Sequence, residues 1–482
     1  MNCDEFYSYE NEISEEKRKS LGIVYTPLHV VQYINESCLE LWKGESPPRV
    51  LDPCCGTGIF LYDMARKISS RWNLPLSEVY EKYIFGFDVD EEAITISKGL
   101  LPDANLFCES SLFESWGGYD IAVTNPPYIR IQNLDETLRD QIRDTYEFCS
   151  GATDIYVAFF EKLIKSKLIT GFICPNSWRT NKSASALRNY LGKEGRLSAL
   201  IDFGSVRLFP AVGTYTSILV NDSNAVDQVE VGTSLSNTQK VPTDELFFGD
   251  IVLVDSKRRN NILSMMERPD SVFDFCDIKT GLATLADKVF VVEKLSEERA
   301  FTKVRTLGPE KKEYTLESGA LRACKKASEI SKNQGKEYVV IYPYRDANGR
   351  YKEEELRKVF PKVYKYLFER KATLLNRDKG KGNGYEWYEF GRTQGLSIQS
   401  DKLLFAPMVK SSMQLKFSGK EEKFISGYCI IPKNGFTLEQ IKQIFLSKEV
   451  EDWITVFGKN FGNGWYGVSK TVFKNYRIRE SK

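Results

Sequence analysis

Val50-Leu-Asp-Pro-Cys-Cys-Gly-Thr-Gly-Ile-Phe60 is a short apolar run that ends in an acid, crosses a glycine-rich turn and resumes as the apolar start of a helix. The glycines let the backbone approach a ligand closely, at the amino terminus of the helix that follows. A dinucleotide fingerprint needs Gly-x-Gly-x-x-Gly, whereas here only Gly56 and Gly58 are present and Asp52 precedes them. A carboxylate at that place suits a cationic or amino-acid ligand better than a pyrophosphate. Downstream, Ile84-Phe-Gly-Phe-Asp88 ends a second apolar run in an acid, where a carboxylate can hold a ribose diol. The separation of Gly56 and Asp88 exceeds the usual ~20 residues, which predicts an inserted helical stretch over about 69–82.

Around this stretch, from about 47 to 220, apolar runs alternate with helical spacing, as in a mostly parallel sheet built from βα units. The predicted strands are 49–51, 83–87, 104–108, 120–124, 168–174, 199–203 and 216–220, and residues 155–164 have helical spacing. The fold class is therefore α/β, doubly wound. The polar stretch 221–240 reads as a surface excursion or boundary. From about residue 271 lysines, tyrosines and phenylalanines accumulate, and the second domain reads only as mixed α/β.

At 482 residues the chain holds two or three domains. It has 42% hydrophobic residues without an apolar run of membrane-spanning length or a secretory leader, which predicts a cytoplasmic protein with no membrane contact. Ten cysteines without a Cys-x-x-Cys pair and a single histidine, His29, leave no metal site, and the lone histidine excludes most His-dependent hydrolases. The net charge of +1 conceals an asymmetry. Residues 301–482 hold 36 Lys+Arg against 21 Asp+Glu, and residues 1–300 hold 31 against 45. An acidic small-molecule half joined to a half that meets a polyanion fits this division.

Asp120-Ile-Ala-Val-Thr-Asn-Pro-Pro-Tyr128 is a buried strand that stops at Asn125. Pro126 and Pro127 cannot continue a ladder and hold the following turn rigid. An exocyclic base amine such as N6 of adenine is a poor nucleophile, because its lone pair is delocalised into the ring. Two acceptors, the Asn125 side-chain oxygen and the Pro126 carbonyl, can take both N–H bonds and free that lone pair. Tyr128 offers a flat face for a base taken out of the stack.

In motif order, residues 20–220 resemble the γ-class DNA adenine-N6 methyltransferases of bacterial restriction–modification systems, the TaqI-like group. Gly22-Ile-Val-Tyr-Thr-Pro27 is similar to the family's amino-terminal cofactor motif, 50–60 to its glycine-rich loop, Asp88 to its ribose-binding acid and 125–128 to its catalytic tetrapeptide. The resemblance implies a seven-stranded sheet with its first and fourth strands adjacent, and S-adenosyl-L-methionine as cofactor. It assigns Tyr25, Thr26, Pro27, Asp52, Cys54, Gly56, Asp88, Glu109 and Ser110 to that cofactor, with Thr26 and Asp52 near its methionine part. Asn125, Pro126, Pro127 and Tyr128 become catalytic, and Phe209, in Leu208-Phe-Pro210, becomes the second aromatic against the flipped adenine. Where the family has Asp-Phe around the cofactor adenine, this chain has Glu109-Ser110, an acid without the aromatic.

The reading is a catalytic domain over 1–245 and a target-recognition domain over 246–482. Its partners are double-stranded DNA and a separately encoded restriction endonuclease. RNA or protein-glutamine methylation, a bifunctional restriction enzyme and a non-catalytic DNA-recognition subunit remain as alternatives; the 22–27 motif and the basic carboxyl-terminal half weigh against the first, the lack of an evident Asp…Glu-x-Lys nuclease core against the second and the intact Asn125, Pro126 and Tyr128 against the third. Asp154 reads as a helix cap. Tyr342, Tyr344, Arg345, Trp387 and Tyr388 either stack on DNA or fill a core. Residues 379–384 read equally as a phosphate-contacting or a solvated loop, and 278–281 with 289–292 resemble the start of the family's recognition domain.

Overall fold

The computed structural model describes residues 5–151, 153–209, 214–248, 251–254, 256–330, 335–345, 349–377 and 384–479. The chain divides into two compact units, 1–256 and 257–482.

Unit 1 is built on one nine-stranded sheet. Its strands are β1 (Val50–Asp52), β2 (Ile84–Asp88), β3 (Asn105–Cys108), β4 (Ile121–Thr124), β5 (Ile169–Pro175), β6 (Leu197–Asp202), β7 (Thr216–Asn221), β8 (Gln228–Ser234) and β9 (Asn237–Pro242). They lie in the order β3-β2-β1-β4-β5-β7-β6-β8-β9. The first five run parallel, and β7 enters antiparallel between β5 and β6. Every residue of β1 and β4 is buried, the pattern of parallel strands covered on both faces. Alternate side chains feed two apolar layers: Leu51 and Ala122 join one, Val50, Ile121 and Val123 the other.

Nine strands correct the expectation of seven. Residues 221–240, read as a surface excursion, complete β7 and form the hairpin β8–β9 on the β6 edge. Val229, Val231 and Val241 bury there while Gln228, Asn237 and Gln239 face solvent. Unit 1 also runs past residue 245, because Leu246, Val252 and Val254 join its core.

The helices that bear on the site are α1 (Glu5–Glu12), α2 (Glu15–Leu21), α3 (Leu28–Leu41), α4 (Ile59–Trp72), α5 (Leu76–Tyr83), α6 (Glu91–Leu100), α7 (Glu136–Thr145) and α8 (Tyr156–Lys165). The insertion between Gly56 and Asp88 is α5, which follows α4 after a turn. Asp154 is not a cap: the residue before α8 is Ile155, whose side chain makes no capping bond, and Asp154 instead bridges Arg130 through the backbone.

Unit 2 contains a six-stranded sheet in the order Glu313–Glu317, Phe301–Thr306, Val291–Glu298, Tyr338–Ile341, Leu321–Lys326, Lys423–Ile425, besides a four-stranded and a three-stranded sheet. Tyr342, Tyr344, Trp387 and Tyr388 are buried in its core with Phe390, which decides between stacking and packing in favour of packing. Of the loop 379–384, residues 379–383 lie outside the described residues. Among the described residues no helix is long and apolar enough to cross a membrane.

Candidate active site

At the carboxyl ends of β1, β2 and β4, where the strand order reverses, unit 1 holds a cavity of about 270 Å³. Nine of the residues singled out from sequence line it: Tyr25, Thr26, Cys54, Gly56, Asp88, Glu109, Ser110, Asn125 and Pro127. Their convergence follows from the sheet, since β1 pairs with both β2 and β4 and so brings three distant loops to one rim.

The glycine-rich turn is held by the acid of the next strand. Asp88 accepts hydrogen bonds from the Gly56 N–H (2.8 Å) and the Asp90 N–H (2.9 Å). Gly56 and Gly58 have φ of +53° and +94°, left-handed values that disfavour a side chain. At Gly58 a Cβ would also lie 2.7 Å from Ser97 Oγ. Asp52 lies beneath the turn, fully buried: one carboxylate oxygen accepts from Cys54 N–H (3.0 Å), and the other has no hydrogen-bond partner. Burial pushes Asp52 up to about 7, and burial likewise raises Asp88 above the ordinary carboxylate range.

Asn125 is oriented by the amino-terminal segment. Its side-chain NH₂ donates to Val24 O (2.9 Å) and Thr26 Oγ1 (3.1 Å), and its oxygen accepts from the Tyr128 hydroxyl (2.8 Å). With both donors committed, the remaining capacity of the amide is one acceptor lone pair. Gly22 sits directly against this turn: at φ +63° a Cβ there would lie 2.8 Å from the Tyr128 nitrogen. Tyr128 is half-buried and meets the Tyr156 ring edge-on at 6.3 Å, and Pro126 is buried. Pro27 precedes α3 at φ −56° and does not line the cavity. Phe209 is not brought there either: its ring is buried in the α3–α4 apolar layer, and residues 210–213 lie outside the described residues.

Several contributors were not found from sequence. The cavity lining is acidic and apolar: Asp88, Asp90 and Glu109 are its charged groups, and no Lys, Arg or His is among its described residues. Val89, 60% exposed, with Leu112, Leu138 and Phe159, supplies apolar wall from separate segments. Lys162 pins the loop after β3, donating to the carbonyls of Ser111 (2.7 Å), Leu112 (2.7 Å) and Glu114 (2.6 Å), and burial pulls it down to about 8. Helices α1 and α2 close over the turn. Thr57 Oγ1 donates to Phe6 O (2.7 Å), Tyr7 to Thr26 O (2.8 Å) and Tyr9 to Asp90 (2.7 Å), which also pairs with Lys17 (2.9 Å). Only the amphipathic spacing of 5–21 could have indicated them.

Comparison with known proteins points the same way. Residues 100–209 match the family described as Eco57I restriction-modification methylase. The chain is 23% identical to the Type II restriction enzyme and methyltransferase RM.Eco57I of Escherichia coli, over 93% of this chain and 56% of that protein. It is 24% identical to the Type II methyltransferase M.HindII of Haemophilus influenzae, over 59% of this chain and 58% of that one. The chain thus spans less than two thirds of either relative. Among solved structures, the Type IIL restriction-modification enzyme MmeI, determined in complex with DNA, superposes with a TM-score of 0.63 at 12% identity, covering 98% of this chain and 70% of that one. The fold is therefore a mixed α/β fold with a large, mostly parallel sheet, as in restriction-modification enzymes.

Proposed function

We propose that this chain transfers a methyl group from S-adenosyl-L-methionine to N6 of a flipped-out adenine in double-stranded DNA. Unit 1 is the catalytic part and unit 2 the target-recognition part, within a restriction–modification system whose nuclease is encoded separately in the same cytoplasm. The observation that carries the reading is the lining of the cavity: among its described residues, three carboxylates and no cation, with an amide locked as an acceptor at its rim. Such a wall disfavours a phosphate-bearing cofactor and favours a ligand with a cationic centre. The likeness to Type II methyltransferases supports the same class.

The residues present fit that cofactor. Gly56 leaves its cradle open, Asp88 stands where a ribose diol is held, Val89 and Leu112 offer apolar contact, and the unpartnered Asp52 oxygen beneath Cys54 gains from a nearby cation. When bound, S-adenosyl-L-methionine supplies an electrophilic methyl on sulfur. The chain's own residues position the acceptor. Asn125 Oδ1 and the Pro126 carbonyl take the two N–H bonds of the amine, the Tyr128 ring supports the extruded base, and the apolar wall keeps water from the transfer. The proton then leaves to water.

The test is expression in a host that lacks adenine methylation, followed by genome-wide mapping of N6-methyladenine. One methylated sequence motif is expected, lost in Asn125→Ala. Purified protein that binds the cofactor but leaves all DNA unmethylated would overturn the reading and move RNA or protein amides to the front.

A further inference from the structure

Unit 2 carries a small three-stranded antiparallel sheet of Met408–Lys410, Trp465–Gly467 and Lys459–Gly462, with Lys410 opposite Trp465 and Lys459 opposite Gly467. Alternation divides its two faces. Val409 is buried, whereas Met408 (42% exposed), Phe461 (43%) and Trp465 (38%) stand out with Lys410 and Lys459. Contiguous exposed apolar groups rimmed by charge mark interaction surfaces. Gly467 explains part of the surface: a Cβ there would lie 2.8 Å from the Phe461 ring, so the missing side chain lets that ring rest on the strand. The Lys410 ammonium lies 5.6 Å from the Trp465 ring centre and that of Lys459 lies 5.1 Å from Phe461, so cation and aromatic alternate across the face. The connecting turn passes through Gly462, Asn463 and Gly464, all at positive φ, and presents nothing bulkier than an asparagine.

The charge of the surrounding chain selects the partner. Every strand of this sheet comes from a stretch without acids: residues 402–420 contain Lys402, Lys410, Lys416 and Lys420, residues 453–479 contain Lys459, Lys470, Lys474, Arg477 and Arg479, and neither contains an Asp or Glu. Other lysines of unit 2 are held by carboxylates, among them Lys303 by Glu313 and Lys312 by Glu310. Among the described residues Lys410 and Lys459 have no such partner. An aromatic surface whose cations are uncompensated fits a polyanion that also offers flat apolar groups.

We propose that this face docks duplex DNA, the 459–467 hairpin entering a groove with Phe461 and Trp465 against sugars and base edges and Lys410 and Lys459 on phosphates. A two-stranded ribbon fits the major groove, and each phosphate so contacted adds about 0.9 to the slope of log affinity against log salt. This inference rests on the reading of the chain as a DNA methyltransferase.

The test uses the full chain and a fluorescein-labelled duplex carrying its methylated motif, titrated between about 50 and 200 mM salt. Lys410→Gln with Lys459→Gln should flatten the salt slope by about two and weaken binding at least ten-fold at the lower salt. Trp465→Ala should weaken binding several-fold at unchanged slope. Lys303→Gln with Lys312→Gln, which removes an equal charge already held by carboxylates, should change neither quantity. If the parent methylates and binds the duplex but the Lys410/Lys459 variant keeps its slope and its melting temperature, this surface is not where DNA docks, and the methyltransferase reading stands. A parent that binds single-stranded RNA in preference to any duplex overturns both.

Discussion

Unit 1 holds 23 Lys+Arg against 37 Asp+Glu and unit 2 holds 44 against 29, so a chain of net charge +1 consists of one part near −14 and another near +15. The charged groups of the two candidate surfaces are also placed differently. In unit 1 Asp88, Asp90 and Glu109 line the cavity and Asp52 is sealed beneath it. In unit 2 Lys410 and Lys459 stand on the outside beside exposed rings. Acids around a cavity suit a small cation, and cations on an open face suit a large anion. The difference shows why a sum over the chain says little about partners, whereas a sum over each compact unit says a good deal.

The largest effect that would break this comparison is on DNA affinity. If six to ten phosphates meet unit 2, raising salt from about 50 to about 200 mM lowers affinity by about 10³ to 10⁵. Cofactor affinity, which depends on unit 1, should change less than about three-fold over the same range, and parallel losses by titration calorimetry would refute the division. Next, Asn125→Ala should reduce turnover by about 10² to 10³, the scale for losing one preorganised hydrogen-bonding group, while DNA affinity stays within a few-fold. Activity above about a tenth of the parent would show that the amide does not act on the amine. Asp88→Ala removes the acceptor of both Gly56 and Asp90 and should weaken cofactor binding by about 1.5 to 3 kcal/mol. An unchanged dissociation constant would assign the ribose to another acid.

The smallest effect is a pH dependence confined to unit 1. Asp52 lies at about 7 in the folded chain against an ordinary 3.8, so between these values the folded chain keeps a proton that the unfolded chain has lost. Its contribution to stability therefore falls as pH rises from about 4 to about 7, and stays low above that. Asp52→Asn should raise the melting temperature relative to the parent near pH 8 and leave it unchanged near pH 4. A cation bound above Cys54 favours the ionised carboxylate. Cofactor binding near pH 6 should then release protons, seen as a heat that varies with buffer ionisation enthalpy and disappears in Asp52→Asn.

What was legible before the structure followed from burial. Strands β1, β4 and β5, covered on both faces, are continuous apolar runs, and the first seven strands fall on the runs read from sequence. The hairpin β8–β9 escaped because three valines scattered among polar residues carry its whole buried side. The strands of unit 2 escaped for the same reason: in Phe301–Thr306 only alternate positions bury, and the intervening lysine and arginine read as solvated chain. Motif residues Gly56, Asp88 and Asn125 could be placed because each lies at or just beyond the end of a recognisable strand. The apolar wall could not, since Val89, Leu112 and Phe159 come from three segments with no common sequence motif. Asp154 shows that a well-placed acid before a helix need not cap it.

The grip of the amino-terminal segment on the tetrapeptide also bears on how the chain is made. Val24 and Thr26 are bound by Asn125, about a hundred positions later in the chain, and Tyr9 is bound by Asp90. Contacts so distant along the chain carry a loop-closure cost and need the intervening chain to be present before they can form. During synthesis, α1 and α2 can find Thr57 and Asp90 as soon as these emerge, but the Val24–Thr26 segment must wait for Asn125, just beyond β4, before it is held at the rim of the cavity.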